Sequence, residues 1–399
     1  MRLSILTNIL PPYRVGFFNE LARLCDLHVV LDALTTPDRQ WEIDPAEIGF
    51  RCTVAGSHHA AVDRPGVGYH VERRYLQFSE RTFPLLRRLK PDIVVSLELG
   101  ARTVQAAAYA FMHQIPLVCY WEGTPHTESR VPWYKPPLRR ALASRADAFW
   151  VNGRESAAYA HTLGVAAERV HPGMTGIDTS FFVREARLAR ESRDTTRREL
   201  GLKGTTFVFS GQFVPRKGVC SYLSAMGQLL ELAPDADVSF LFIGDGPMRA
   251  DIEGFARAYP RVPVVITGFV QLPQLPRLYT AGDCFVLPTL EDCWPLATLE
   301  PLVCGLPQIF SRYNGAAADL AAWAGTGTVI DPLATAEFAA ALHRVAEQTP
   351  APLPERVIRD VGEFYAPRSQ AQRAYVSCQR LLDRARRESR GTTHSVDVK

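Results

Sequence analysis

A chain of 399 residues with 47% apolar side chains can bury more than one core, which suits two or three domains on length alone. A net charge of only +3 excludes a dedicated nucleic-acid binder with a broad basic face, and no run of about 18 uninterrupted apolar residues marks a transmembrane helix. The eight cysteines are scattered with no Cys-x-x-Cys pair, so they set aside a zinc site or a disulfide framework and read as buried thiols in a reducing cytoplasm.

In chain order, residues 3–6 read as a first buried strand rather than as part of a signal peptide, which needs a small-residue cleavage site. Apolar spacing predicts a helix over 15–24 and a strand over 27–31. The segment 38–75 is irregular and rich in His, Gly and charge, which suits an extra hairpin or a mobile loop. From there the pattern is helix 83–89, strand 91–96, helix 101–112, strand 115–120, helix 138–144 and strand 148–151. A dense charged run over 184–199 reads as a solvated helix face in a linker, not as a nucleic-acid contact. The alternation then restarts with strand 206–210, helix 222–232, strand 238–243, helix 248–258, strand 264–267 and strand 285–287. Such alternation predicts parallel sheets covered on both faces, in two halves of similar type. Residues 369–387 carry Ala374, Tyr375, Cys378, Leu381 and Leu382 at helical spacing.

Two segments carry chemistry. In Thr289-Leu-Glu-Asp-Cys-Trp-Pro-Leu-Ala-Thr-Leu-Glu300 the acids straddle a strand-to-helix junction. Pro295 suits the first helical position, and Gly305 a helix stop. Asp292 then lies in the loop and Glu300 about a turn inside the helix. Both can face the carboxyl end of a parallel sheet, where open α/β folds bind ligands, and carboxylates there can grip hydroxyls. Acids favouring a helix dipole are the bland alternative. The second segment, Gly211-Gln-Phe-Val-Pro-Arg216-Lys217-Gly218, joins a strand to a helix. Its glycines allow close backbone approach, and the amides of a helix N-terminus favour anions. Arg216 offers a planar fork and Lys217 a compact charge, together enough to neutralise a diphosphate. Gly244-Asp-Gly246 lacks the third glycine of a dinucleotide fingerprint and reads as a tight turn. Asp235-Ala-Asp237 precedes a strand, on the edge away from the ligand side, so no metal is expected. Trp133-Tyr134-Lys135 through Arg140 mixes aromatics with cations, which suits either an ordinary helix start or contact with anionic headgroups.

The 289–307 segment resembles the paired-acid motif of retaining glycosyltransferase family 4 (group 1), and the Leu10-Pro-Pro-Tyr13-Arg14 turn resembles its bacterial polysaccharide-type subgroup. The family motif is usually Glu, seven residues, Glu; here the first acid is Asp292, with Glu291 beside it as the alternative. The 211–218 turn resembles the family's Gly-Arg-Leu-x-x-x-Lys-Gly loop, with Lys217 on its lysine and Gln212 in place of its arginine. The resemblance implies an α/β chain of the GT-B type: two facing Rossmann-like domains with parallel sheets and a C-terminal helix crossing back to the first. The corresponding boundaries are an acceptor-side domain 1–180, a linker and lead-in helix 181–204, a nucleotide-sugar domain 205–366, a crossover helix 367–388 and a disordered tail 389–399. It implies donor contacts from Gly211, Arg216, Lys217, Gly244, Gly268, Phe269, Asp292, Trp294, Pro295, Leu296 and Glu300. It implies catalytic roles for Asp292 or Glu291, His126, Arg216 and Lys217, and an acceptor side at Tyr13, Arg14 and Glu122. The implied reaction is retaining transfer from a nucleotide-diphosphate sugar, metal-independent and without a cofactor, in cell-surface polysaccharide, glycolipid or other glycoconjugate synthesis. A nucleotide-sugar epimerase of similar fold and a non-catalytic nucleotide-sugar-binding protein are the rival readings. The expected setting is cytoplasmic, with peripheral contact at the inner face of the membrane open and no nucleic-acid partner.

Overall fold

The computed structural model describes residues 1–34, 43–56, 58–65, 71–323 and 325–393, with side chains left out at 59–65, 71–78 and 389–393. The chain divides into two compact units, one containing Met1–Arg64, Arg73–Ile177 and the chain from Tyr365 onward, the other built mainly from Asp178–Phe364.

The first unit begins β1 (Arg2–Thr7), α1 (Pro12–Leu24), β2 (Asp26–Leu31), β3 (Arg51–Val54), β4 (His58–Pro65) and β5 (Val71–Phe78). It continues α2 (Thr82–Leu89), β6 (Ile93–Leu97), α3 (Ala101–His113), β7 (Leu117–Trp121), α4 (Lys135–Arg145), β8 (Ala148–Val151), α5 (Arg154–Thr162) and β9 (Val170–Pro172). Its sheet has seven strands in the order β3-β2-β1-β6-β7-β8-β9, and every pairing is parallel. Strands β6, β7 and β8 are buried at every position, as parallel strands covered on both faces must be. One face packs Leu3, Ile5, Val29, Val95 and Trp150 against Phe17 and Phe18 of α1. The other packs Leu6, Val94, Cys119 and Phe149 against Leu86, Tyr109, Leu142 and Tyr159 of α2 to α5. The chain order reverses between β1 and β6, so α1 and α3 leave on opposite faces, which makes that crevice the unit's topological switch point. β4 and β5 form a separate two-stranded sheet, the extra hairpin the irregular segment suggested; residues 35–42, 57 and 66–70 of that stretch lie outside the described residues.

The second unit runs α6 (Thr179–Glu191), α7 (Arg193–Glu199), β10 (Thr205–Ser210), α8 (Val219–Leu232), β11 (Val238–Ile243), α9 (Arg249–Ala258), β12 (Val264–Ile266) and α10 (Leu275–Ala281). There follow β13 (Cys284–Leu287), α11 (Leu296–Val303), β14 (Gln308–Ser311), α12 (Ala317–Leu320), β15 (Gly327–Ile330), α13 (Thr335–Glu347) and α14 (Glu355–Tyr365). Its parallel sheet has six strands ordered β12-β11-β10-β13-β14-β15, with β10 registered on both β11 and β13. Aromatic residues fill it: Phe207, Phe209, Phe240 and Phe242 are fully buried together with Tyr222 of α8. α15 (Pro367–Thr393) returns to the first unit. Its Ala371, Ala374 and Cys378 join the α1 face of that core. The helix continues through Thr393, beyond the start of the tail read at 389–399; residues 394–399 lie outside the described residues.

The charged run over 184–199 is not simply a solvated face. Arg190 donates to the Cys304 carbonyl at 2.7 Å, Arg193 to Thr280 at 3.0 Å and Arg197 to Ala281 at 2.9 Å. Arg193 and Arg197 also share the Asp283 carboxylate. Helices α10 and α11 end in unsatisfied carbonyls, and guanidinium groups supply the missing donors. All eight cysteines are described and none is in a disulfide; burial pushes the Cys119 and Cys284 thiols up to about 12.

Candidate functional site

In the second unit, three neighbouring strands end in glycine turns. Gly211 follows β10, Gly244 follows β11 and Gly268 lies just beyond β12. Gly211 N–H donates to the Ile243 carbonyl at 2.9 Å, and Gly244 N–H to Gly268 at 3.0 Å. Gly244 is at φ +141° and a Cβ there would lie 2.0 Å from the Gly211 carbonyl oxygen, so nothing larger fits. The turns therefore bring bare backbone to one edge, the carboxyl edge of the sheet. Phe269, beside them, is 54% exposed.

The 211–218 turn closes with a short 3-10 turn at Pro215–Lys217, and α8 starts directly after Gly218. The 289–292 loop is strapped to it. Thr289 Oγ1 and Leu290 N–H both donate to the Arg216 carbonyl, at 2.9 and 2.7 Å. On the loop's other side, Ser311 Oγ holds the Thr289 carbonyl at 2.6 Å and Gly315 N–H the Asp292 carbonyl at 3.1 Å. These straps set the charged side chains. Lys217 Nζ lies 2.6 Å from Asp292 Oδ2, and an Arg216 guanidinium nitrogen lies 3.5 Å from the same oxygen. Lys217 is buried, and a buried ammonium requires a counter-charge. Asp292, the second of the two adjacent acids, thus lies on both cations. Gln212, at the position of the family's arginine, is exposed.

Glu300 sits a little over one turn into α11, which starts at Leu296, one residue later than expected, with Pro295 as its N-cap. Tyr279 Oη is 2.7 Å from Glu300 Oε2 and 3.1 Å from Ser210 Oγ. A phenol has one hydrogen; the charged acceptor takes it, and the Ser210 hydroxyl is left to donate to the phenolic oxygen. Burial pushes the Glu300 carboxyl above the usual carboxylate range, and the Tyr279 hydrogen bond opposes that shift. Ser210 is the last residue of β10 and Gly211 the next, so the acid of α11 and the turn that carries Lys217 meet at the end of one strand. Trp294 is buried with its indole N–H donated to Asp319 at 3.2 Å. Asp235 and Asp237 precede β11, at the opposite edge, and no cluster of metal-ligating side chains occurs among the described residues.

In the first unit the corresponding edge holds Tyr13, Arg14 and Glu122. Arg14, in the first turn of α1, is buried, donates to Glu122 Oε1 at 2.8 Å and Thr7 Oγ1 at 3.2 Å, and lies near the Tyr13 and Tyr120 rings. Burial alone lowers its pKa, but Tyr13, Glu122 and Tyr120 outweigh it and hold the guanidinium more firmly protonated than usual. Next along the edge, Arg102 of α3 lies 3.4 Å from the buried Asp32. His126 is exposed in the turn after β7, and its carbonyl accepts from Ser129 Oγ at 2.7 Å. Sequence reasoning missed Tyr279, Ser210, Asp32 and Arg102. Tyr279 sits in the run Leu-Pro-Arg-Leu-Tyr-Thr-Ala, where it reads as core, and only Asp32 offers a signal, as an acid directly after an apolar strand.

Comparison with known proteins bears on the family and the fold. Residues 16–181 match the family described as Glycosyltransferase Family 4, and residues 204–348 match Glycosyl transferases group 1. Sulfoquinovosyl transferase SQD2 of Arabidopsis thaliana is 30% identical over 60% of this chain and 46% of its own. The UDP-Gal:alpha-D-GlcNAc-diphosphoundecaprenol alpha-1,3-galactosyltransferase of Escherichia coli is 32% identical over 31% of this chain and 32% of its own. The chain thus spans less than half the length of these two curated relatives. Among solved structures, Anabaena HepE in complex with UDP superposes with a TM-score of 0.66 at 16% identity, covering 99% of this chain and 100% of that one. A Rickettsia africae glycosyltransferase reaches 0.71 at 10% identity, covering 96% and 99%. At such identities the structures show a shared fold, and the sequence families carry the assignment. The chain belongs to the group 1 glycosyltransferases, glycosyltransferase family 4.

Proposed function

We propose that this chain transfers a sugar from a nucleotide-diphosphate donor to an acceptor hydroxyl with retention at the anomeric carbon, without a metal or cofactor. The carrying observation is the convergence of Lys217, Arg216 and Asp292 with the Tyr279-held Glu300 at the end of β10. In this reading Arg216 and Lys217 take the diphosphate, the glycine turns admit its oxygens to the N-terminus of α8, and Glu300 accepts the ribose hydroxyls. Gly268 and Phe269 border the base, and the loop carrying Glu291, Asp292, Trp294, Pro295 and Leu296 borders the sugar. Asp292 neutralises Lys217 while no anion is bound; the arriving phosphates take over that charge and leave the carboxylate to sugar hydroxyls.

Positive charge held at the diphosphate counts most as the bond from the anomeric carbon to phosphate oxygen breaks, because the electron pair leaves with that oxygen. The acceptor oxygen bonds to the same face of the sugar, and its proton passes to the departing phosphate oxygen. On the first unit, this reading assigns Tyr13, Arg14 and Glu122 to the acceptor and a catalytic role to His126. Boundaries near 180 and 204 separate acceptor-side unit, linker and donor unit, with 367–388 as the helix that returns to the first. HepE was crystallised with UDP, and the Escherichia coli relative is named for a diphosphoundecaprenol acceptor; these support a nucleotide-sugar donor and a saccharide or lipid-linked acceptor in cell-surface glycoconjugate synthesis. No described helix is long and apolar enough to cross a membrane. The proposal includes a cytoplasmic setting with peripheral membrane contact through 133–140.

A thermal-shift screen of nucleoside-diphosphate sugars tests the reading. One donor should raise the melting midpoint, and Lys217→Ala and Glu300→Ala should each remove most of that rise. Product made with that donor should keep the donor's anomeric configuration by proton NMR. Conversion of the donor to an epimer without any acceptor would replace this function with epimerisation.

A further inference from the structure

Helices α2, α3 and α4 lie side by side over one face of the first unit's sheet and share its core through Leu86, Tyr109 and Leu142. The chain has 42 acidic residues, yet none falls in these three helices, while every other helix of at least eight residues has one. Their outward surface carries exposed Arg87 and Arg88 on α2 and Arg140 and Arg145 on α4. These helices and the residues leading into α4 also expose apolar side chains. Phe111 of α3 is 72% exposed with Met112 beside it, and Trp133, just ahead of α4, is 86% exposed with Tyr134 next to it. The two helices are joined at one end of this face, where the Arg145 guanidinium sits 5.4 Å from the Phe111 ring centroid.

We propose that the α2–α3–α4 face is a docking surface for an anionic lipid bilayer. Apolar side chains exposed to this degree cost solvation in water and gain it at the acyl boundary, while arginine stems run along them and keep the charge at headgroup level. Tyr and Trp are suited to that boundary by their apolar bodies and polar tips. Absence of acids removes the repulsion that lipid phosphates meet on the chain's other long helices. The face extends the contact placed at 133–140 to two more helices. It shares only that contact with the transferase reading, since docking needs neither donor nor turnover.

Sedimentation of the full chain with vesicles tests it. The chain should bind vesicles containing phosphatidylglycerol, ignore pure phosphatidylcholine, and release as salt rises. Arg140→Gln with Arg145→Gln should weaken binding roughly 25-fold, about fivefold per cation. Trp133→Ala should weaken it without changing the salt dependence. All three side chains are exposed, so unchanged melting midpoints will show that the fold is intact. Lys217→Ala should bind vesicles normally while losing its donor, which separates failure of this proposal from failure of the transferase reading. Equal binding to both vesicle types, no binding, or indifference to the double variant would overturn it. So would self-association in sedimentation velocity that Phe111→Ser with Trp133→Ser abolishes, which would make a second copy the occupant.

Discussion

The first strand of each unit leads into the helix that follows it at a topological switch point, and the two turns there are built on opposite plans. After β10 the chain runs through Gly211 and Gly218, both at positive φ, and its cations face the acid of the next strand's loop. After β1 it runs through Pro11 and Pro12, and its cation, Arg14, is buried against Glu122, Thr7 and two aromatic rings. The glycine plan brings main chain without side chains to the sheet edge and leaves a charge pair for an anion to rearrange. The proline plan fixes the backbone and spends the charge on internal partners. One topology can thus hold an accessible charge pair in one unit and a sequestered cation in the other, and the choice rests on a few turn residues.

Gly218→Ala attacks that contrast most severely. Gly218 is at φ +74° and a Cβ there would lie 1.9 Å from the Pro288 carbonyl oxygen. The variant should lose about 3 kcal/mol or more of stability by denaturant unfolding. Pro12→Ala, at the first position of α1, should lose under about 1 kcal/mol. Similar losses at both sites would erase the distinction between the two plans.

Lys217→Ala should lower affinity for a nucleoside diphosphate about a hundredfold by calorimetry, the scale of a charge-assisted contact. Glu122→Ala should leave donor affinity alone yet cost about 2 kcal/mol of stability, because it strands a buried guanidinium whose partner had been half in water. A donor-affinity loss in Glu122→Ala as large as that of Lys217→Ala would show that the proline turn also serves the phosphate.

Tyr279→Phe should have the smallest effect, about 1 kcal/mol or five- to tenfold in donor affinity. Its signature is in pH. The Glu300 carboxyl is raised by burial and held down by the Tyr279 hydrogen bond. Donor affinity should therefore fall as pH drops through a value above the usual carboxylate range, and the variant should start losing affinity at a still higher pH. An unshifted acid limb would make Tyr279 packing alone.

The alternation of strands and helices was legible because fully buried parallel strands, such as 148–151 and 238–243, are short continuous apolar runs between turns. The cationic glycine turn and the two acids were legible because both lie in contiguous segments. Two of the edge strands were not: β9 and β15 are short and mostly outside the core, so no long apolar run marks them. The Tyr279–Ser210–Glu300 triad was hidden for another reason. Its members stand 69 and 21 positions apart, and a tyrosine on an apolar helix looks the same whether or not its hydroxyl has an acid to hold. The arginines of 190–197 were misread because a cation on carbonyls at another helix's end has the same local sequence as one in water.

Calorimetric titration of the wild type, Lys217→Ala and Glu300→Gln with one nucleoside diphosphate, its free nucleoside and its 2′,3′-dideoxy analogue would decide whether one nucleotide is held at both ends. Lys217→Ala should lose the preference for diphosphate over nucleoside and keep the preference for ribose over dideoxyribose, and Glu300→Gln should do the reverse. Preferences unchanged in both variants, or lost together in each, would contradict it.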